Sequence, residues 1–273
     1  MNVDLHSHST CSDGALSPAA LLERARDQGV TALSITDHDT VAAYAPDDLD
    51  RRGIELVPGV EFSTHWQGRG IHVVGLNIDP RSDTIGEGVA LHHAARAQRG
   101  AVIAERLAKL GLRDCLEGAR ALAGNSAVGR PDFAKHLVAA GHVATEAAAY
   151  KQYLGDGKLG DVREYWAELA EVIRWIRAAG GIAVLAHPLK YRLTRSKLKR
   201  LLKDFVAAGG TGLEVVSGHQ LAQRTEEMGR LCREAGLLAS RGSDFHAPGA
   251  PWSELGRASP LPRDVTPVWE AFD

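Results

Sequence analysis

Asp4-Leu5-His6-Ser7-His8 opens the chain with two imidazoles two residues apart. Alternate residues of a strand face the same side, so His6 and His8 project into one space as a chelating pair. Asp13, in the Ser12-Asp13-Gly14 turn just beyond, can bring a carboxylate oxygen over the same spot. Taken alone, His-x-His at a strand end is also what an ordinary frayed edge looks like. The chain removes that ambiguity by repeating the device: His38 in Thr36-Asp37-His38-Asp39-Thr40, Glu61 after Pro58-Gly59, His72, His187 before Pro188, and Asp244 and His246 in Ser243-Asp244-Phe245-His246. The candidate metal ligands are therefore His6, His8, Asp13, His38, Glu61, His72, His187, Asp244 and His246, with no thiolate among them. Mixed imidazole and carboxylate suits Mn²⁺, Fe²⁺ or Zn²⁺ in a catalytic site better than a closed structural zinc. The set exceeds what one ion needs, and with a shared carboxylate it would hold two or three. Such a cluster fits phosphoryl chemistry, because the ions generate hydroxide near neutral pH, neutralise phosphate oxygens and stabilise the leaving oxygen.

Those residues need elements to converge them. Short apolar runs at Val3–Leu5, Val30–Ile35, Ile54–Ser63, Ile71–Leu76, Gly181–Ala186, Gly212–Val216 and Leu237–Ser240 read as strands. Helical patterns separate most of them: Ser17-Pro18 as cap and first position, a charged stretch around Pro46 to Arg52, 81–112, 161–179, 194–208 and a helix ending near Gly236. Strands alternating with helices predict an α/β fold with a mainly parallel sheet, and about seven strands allow a closed barrel. Most candidate ligands follow the apolar core of a strand, and in a barrel those ends share one face. The irregular, Ala- and Gly-containing stretch breaks the rhythm and predicts a mostly helical inserted subdomain over 96–160. The barrel domain is then 1–95 with 161–273.

Bulk properties exclude several classes. A chain of 273 residues with 44% hydrophobic and 24% charged content is ordinary for a soluble globular protein. A net charge of -2 gives no global field for a DNA duplex. Cys11, Cys115 and Cys232 are too scattered for a disulfide framework or a zinc ribbon. With neither a signal segment nor a run near the roughly 20 apolar residues of a membrane span, a cytoplasmic setting is expected, with no membrane and no obligate protein partner.

The motifs His6-Ser-His8, Ser12-Asp13-Gly14, Thr36-Asp37-His38-Asp39-Thr40, Pro58-Gly59-Val60-Glu61, Ala186-His187-Pro188 and Ser243-Asp244-Phe245-His246 together resemble those of the PHP (polymerase and histidinol phosphatase) superfamily. The resemblance covers the chain in order and implies a distorted (β/α)7 TIM-like barrel with three divalent ions, Mn²⁺ first, at the C-terminal strand ends. It implies His6, His8 and Asp244 on one ion and His72 and His187 on a second. Glu61 would bridge those two, with Asp13, His38 and His246 on the third. It further implies hydrolysis by a hydroxide bridging the metals, with Asp13 or His38 assisting the leaving oxygen and His219 as a further contact to substrate.

Gly129-Arg130-Pro131-Asp132-Phe133-Ala134-Lys135 resembles the insertion motif of PHP phosphatases that remove the 3'-phosphate of nucleoside 3',5'-bisphosphates. Relatives in that branch also trim short RNA from its 5' end. Arg130 offers a planar donor fork for a phosphate that does not react, and Lys135 adds a point charge. Where this chain has Asp132 and Lys135, such motifs often carry His and Arg. Further candidate phosphate contacts are Ser126, Lys158 on its Gly-rich turn, and Arg192 and Arg195 at the start of a basic run. The expected substrate is a small nucleotide, adenosine 3',5'-bisphosphate for example, or a short 5'-phosphorylated RNA. A histidinol phosphatase, a non-catalytic metal-binding module and an amidohydrolase are the rival classes. Cys11 reads as packing, and His65, His92, His93, His136 and His142 read as surface residues.

Overall fold

The computed structural model describes residues 1–45, 53–124, 126–162 and 165–272. The stretch expected to be helical around Pro46 to Arg52 lies outside the described residues. The chain forms two compact units, Met1–Val89 with Ala167–Asp273, and Ala90–Trp166.

The first unit carries strands β1 (Val3–Asp4), β2 (Ala32–Leu33), β3 (Glu55–Leu56), β4 (Gly59–Trp66), β5 (Arg69–Leu76), β6 (Ile182–Leu185), β7 (Gly212–Ser217) and β8 (Leu238–Gly242). They build a three-stranded parallel sheet, β1-β2-β3, and a five-stranded sheet, β4-β5-β6-β7-β8. The expected α/β architecture with mainly parallel pairing is present, four of the six strand pairings among the described residues being parallel, and two details depart from a regular closed barrel. In the five-stranded sheet β5 runs antiparallel to both β4 and β6, while β6, β7 and β8 are mutually parallel. Gln67 and Gly68, at φ of 47° and 72°, form a two-residue turn that reverses the chain, so His72 returns on a hairpin instead of after a crossover. Secondly, the described residues form two sheets and no closed ring. Pro58, with no N–H to donate, separates β3 from β4 and lets them join different sheets. Single parallel bridges, Ser7 to Phe245 and His38 to Glu61, join the extensions of β1 and β2 to the end of β8 and to β4.

The helices are α1 (Pro18–Asp27), α2 (Asp83–Ala108), α3 (Cys115–Ala123), α4 (Arg130–Ala139), α5 (Glu146–Ala149), α6 (Leu169–Ala178), α7 (Arg195–Ala207) and α8 (Ala222–Glu234). Helix α1 starts as its sequence dictates: Ser17 Oγ accepts from Ala20 N at 3.3 Å and Pro18 takes the first position. In α6 the spacing of Leu169, Val172, Ile173 and Ile176 lays one apolar stripe against β4, β5 and β6, all four side chains buried. Burial at about 1.5–3 kcal/mol per such side chain outweighs the weak helix preference of the β-branched members. The helix therefore holds the sheet that presents Glu61 and His72.

The second unit packs Ile103, Leu107, Phe133, Leu137 and Leu154 into its own core. His92, read from sequence as a surface residue, is instead buried and stacked on Trp166, with ring centroids 5.3 Å apart. Its neighbour His93 points the other way and is exposed, as adjacent helical positions must differ. No helix among the described residues is long and apolar enough to cross a membrane.

Candidate metal centre

Glu61 is the hub of the first unit. It lies on β4 with no exposed surface, and its two oxygens face different sets of imidazoles. Oε1 is 2.9 Å from His72 Nδ1 and 2.8 Å from His187 Nε2. Oε2 is 3.2 Å from His6 Nε2, 3.3 Å from His8 Nε2 and 3.0 Å from His38 Nδ1. Asp244 Oδ1 stands 3.5 Å from His6 Nε2 and 3.3 Å from His8 Nε2. Asp13 Oδ1 is 3.4 Å from His246 Nε2, and its Oδ2 is 3.8 Å from His38 Nε2.

All nine expected ligand positions thus fall in four overlapping groups whose lone-pair atoms lie within 4.8 Å of one another: His8/Asp13/His38/His246, His6/His187/Asp244, His6/His8/Glu61 and His38/Glu61/His72. The groups overlap, with His6, His8, His38 and Glu61 each in two of them, and Glu61 turns one oxygen to two imidazoles and the other to three.

The local backbone explains how separate strand ends meet. Asp244 N donates to His6 O at 2.8 Å and His8 N to Phe245 O at 2.8 Å, tying the two metal-type loops together. A Cβ on Gly242 would sit 2.3 Å from His6 Cβ, so only glycine allows this approach. His187 and Asp244 hold φ of 26° and 54°, a conformation non-glycine residues adopt at a cost and usually for function. The other aspartates of the motifs pin loops. Asp37 accepts from Ser9 N at 2.7 Å, Ser9 Oγ at 2.6 Å and Ser12 Oγ at 2.6 Å. Asp39 accepts from Ser63 N at 2.7 Å and Ser63 Oγ at 2.9 Å.

The donor set fits divalent metal. His6 Nε2, both ring nitrogens of His8, His38 Nδ1 and Glu61 Oε2 are buried without a hydrogen-bond partner among the described residues. Buried polar atoms left so are costly, and a cation shared among them satisfies all of them together. The metal-free electrostatics agree. Burial works against charging His6, yet Glu61 and Glu214 push its pKa up to about 10. Burial likewise opposes ionising Glu61, but His6, His38 and His72 hold its carboxyl well below the usual range. Burial lowers His38 well below the ordinary imidazole value and takes His187 down to about 4. His187 favours the neutral form, so the stability it contributes is complete above its ordinary value near 6.5 and fades as pH falls toward 4. Glu61 and Asp13, held low, lose their contributions on the same acid side. His6, held up to about 10, offsets part of that loss, so we expect the melting temperature of chelator-treated protein to fall by about 3 °C between pH 7 and pH 5. A flat profile in calorimetry over that range would contradict the buried neutral imidazole.

Two residues not singled out in sequence touch this centre. Glu214, buried on β7, faces His6 Nδ1 at 3.2 Å and accepts from His187 N at 2.5 Å. A lone carboxylate within the apolar run Leu213-Glu214-Val215-Val216 was the available signal, since a charge on a buried strand needs a partner. Lys190 donates from Nζ to Asp244 Oδ2, so it is the member of the basic run that reaches the cluster. Arg192 and Arg195 are exposed, Arg195 opening α7. His219 is exposed at the end of β7 and belongs to none of the four groups.

In the second unit, Arg130 Nη1 donates to Leu154 O at 3.2 Å and lies 4.0 Å from Asp161 Oδ1. Asp132 Oδ2 accepts from Gly129 N at 2.8 Å and so caps α4. Ser126 Oγ donates to Ala123 O at 2.8 Å, while Lys135 and Lys158 are exposed.

Imidazoles and carboxylates gathered at strand ends around a shared glutamate define a metal-dependent hydrolase. The PHP domain family model matches residues 4–215, and the chain belongs to that family. It is 44% identical over 274 residues to the 5'-3' exoribonuclease Rnm of Escherichia coli (strain K12), covering 99% of this chain and 93% of that one. It is 38% identical over 275 residues to the 3',5'-nucleoside bisphosphate phosphatase of Chromobacterium violaceum, covering 100% and 96%. A solved structure described as an amidohydrolase from Chromobacterium violaceum, with bound sulfate and no metal, matches with a TM-score of 0.91 at 38% identity. It covers 100% of this chain and 96% of its own.

Proposed function

We propose that the chain is a metal-dependent phosphoesterase that removes the 3'-phosphate of nucleoside 3',5'-bisphosphates, giving a 5'-nucleotide and phosphate. The observation that carries this is Glu61, a buried carboxylate facing five imidazoles, of which His6, His8 and His38 turn toward it nitrogens with no hydrogen-bond partner among the described residues. We read the two sheets as arcs of a distorted (β/α)7 barrel and the four ligand groups as room for three ions. Divalent ions held by these residues, Mn²⁺ first and Fe²⁺ or Zn²⁺ as the other candidates, supply an ionised water near neutral pH and neutralise phosphate charge.

The chain's own groups do the rest. Glu61 and Asp13 stay ionised, and His38 and His187 stay neutral, so each offers a lone pair without first losing a proton. Asp13 and His38 offer lone pairs to one ion, and either stands where it could assist the leaving oxygen. Glu214 holds the His6 ring from behind, and Asp37 and Asp39 hold the loops that carry His8 and His38. The exposed imidazole of His219 remains available to contact substrate.

The relative named as a bisphosphate phosphatase, matched along the full chain, supports the substrate class. The 44% identical relative named as an exoribonuclease supports a second reading equally, cleavage of short 5'-phosphorylated RNA by the same hydrolysis on a diester. Product release from Mn²⁺-loaded protein separates them, with adenosine 3',5'-bisphosphate, adenosine 3'-monophosphate, histidinol phosphate and a 5'-phosphorylated RNA dinucleotide as substrates. Preference for the bisphosphate is the expected result, and faster mononucleotide release would move the main activity to RNA. The motif around Arg130 predicts that Arg130→Ala removes the preference for bisphosphate over 3'-monophosphate by roughly 10–100-fold, the loss of one charge-assisted phosphate contact. No turnover of any of the four with metals bound would sink the phosphoesterase reading.

A further inference from the structure

The loop after His246 carries a large aromatic side chain that the fold does not bury. Trp252 is 67% exposed, and Leu221, two residues after His219, is 74% exposed. Loose structure does not explain that exposure, because the backbone around Trp252 is fixed from both sides. Its carbonyl accepts from His219 N at 2.7 Å, and a Cβ on Gly218 would come within 2.5 Å of that same oxygen. Gly218, at φ of 66°, thus lets the β7–α8 turn close onto the loop. Ser253 N donates to Ala250 O at 3.0 Å, closing the turn that begins at Pro251. Just beyond, Glu254 takes two bonds from Arg24, at 2.9 and 2.6 Å, and Leu255 is fully buried.

The anchor belongs to the catalytic end of the sheet. Ser217 pairs with Gly242 across β7 and β8, and Gly218 N donates to Gly242 O at 2.7 Å. Asp244 and His246 leave β8 directly after that pair, and the loop bearing Trp252 continues from them. An indole left in water on a rigid backbone, in the loop that continues from Asp244 and His246 and is tied to His219, offers a flat π-face with its ordering cost already met.

We propose that Trp252 is the platform on which the nucleobase of the substrate stacks, an assignment that rests on the nucleotide reading above. Every base has a π-face, so a stacking platform accepts all of them and gives broad base tolerance instead of selection by base-edge hydrogen bonds.

The test compares wild type, Trp252→Ala and Trp252→Phe on adenosine 3',5'-bisphosphate and on the base-free methyl ribofuranoside 3,5-bisphosphate. Trp252→Ala is expected to lower the ratio of kcat/KM between the two substrates by roughly 10-fold, through KM, and Trp252→Phe to restore most of it. In metal-free protein, adenosine 3',5'-bisphosphate is expected to quench tryptophan fluorescence in wild type, and to quench it less in Trp252→Phe. An unchanged ratio in Trp252→Ala, or equal losses on both substrates, would overturn the platform. If wild type hydrolyses neither compound, the proposed function fails, and the fluorescence titration alone then decides whether Trp252 meets the base.

Discussion

Glu61→Gln is expected to abolish the metal centre while leaving the fold in place. The carboxylate is fully buried, with one oxygen facing His72 and His187 and the other facing His6, His8 and His38. An amide of the same shape turns an NH₂ toward one of those sets and removes the one negative charge they share. Cations would then be drawn into a group of imidazoles with only Asp13, Asp244 and, behind His6, Glu214 to balance them. Removing a supporting partner of a metal ligand typically costs 10–100-fold, so loss of this shared ligand should lower phosphate release on the order of 10³-fold. Metal content measured by mass spectrometry should fall with it. Circular dichroism should remain that of wild type, because the core of α6 against β4, β5 and β6 is untouched. Full metal content with unaltered turnover would remove Glu61 from the centre.

Glu214→Gln should weaken metal binding by about 10–100-fold while leaving most of the maximal rate available at saturating Mn²⁺. Its two oxygens hold the back of the His6 ring at Nδ1 and the backbone N–H of His187. The His6 bond keeps Nε2 aimed at Glu61 and Asp244, and the His187 bond holds that residue in its positive-φ conformation. In the amide, one acceptor becomes a donor and meets either a ring N–H or a backbone N–H, so one of the two supports is lost. Activity measured against Mn²⁺ concentration reads the effect as a shifted midpoint, distinct from the lost amplitude expected of Glu61→Gln. An unshifted midpoint would reduce Glu214 to a packing role. A drop in maximal rate that excess metal does not restore would place it in contact with the chemistry.

The kinds of chemistry were legible in the sequence because they depend on residue type and local spacing. His6 and His8 share a strand face by backbone alternation alone, and the absence of thiolate partners needs no structure to be seen. Some helix starts followed from the same local rules, while the helix expected over 161–179 begins only at Leu169. Thr194 accepts from Lys197 N at 3.4 Å at the start of α7, and Pro18 opens α1.

Relations between distant segments depended on pairing that no local pattern records. Sheet membership changed at Pro58, and the Gln67-Gly68 turn reversed β5, although Ile71 to Leu76 reads the same in a parallel or an antiparallel strand. Lys190, and not Arg192 or Arg195, meets the cluster because the short helical turn Pro188–Tyr191 fixes which side chain of the basic run faces Asp244. His92 is buried because Trp166, distant in sequence, covers it. The sequence by itself determined which atoms can bind metal and which faces of their own strands they occupy, since those follow from valence and from the period of the backbone. The tertiary structure decided which of those atoms share a neighbour, Glu61 above all, because distances between strand ends are set by long-range pairing and by where glycine lets two backbones approach.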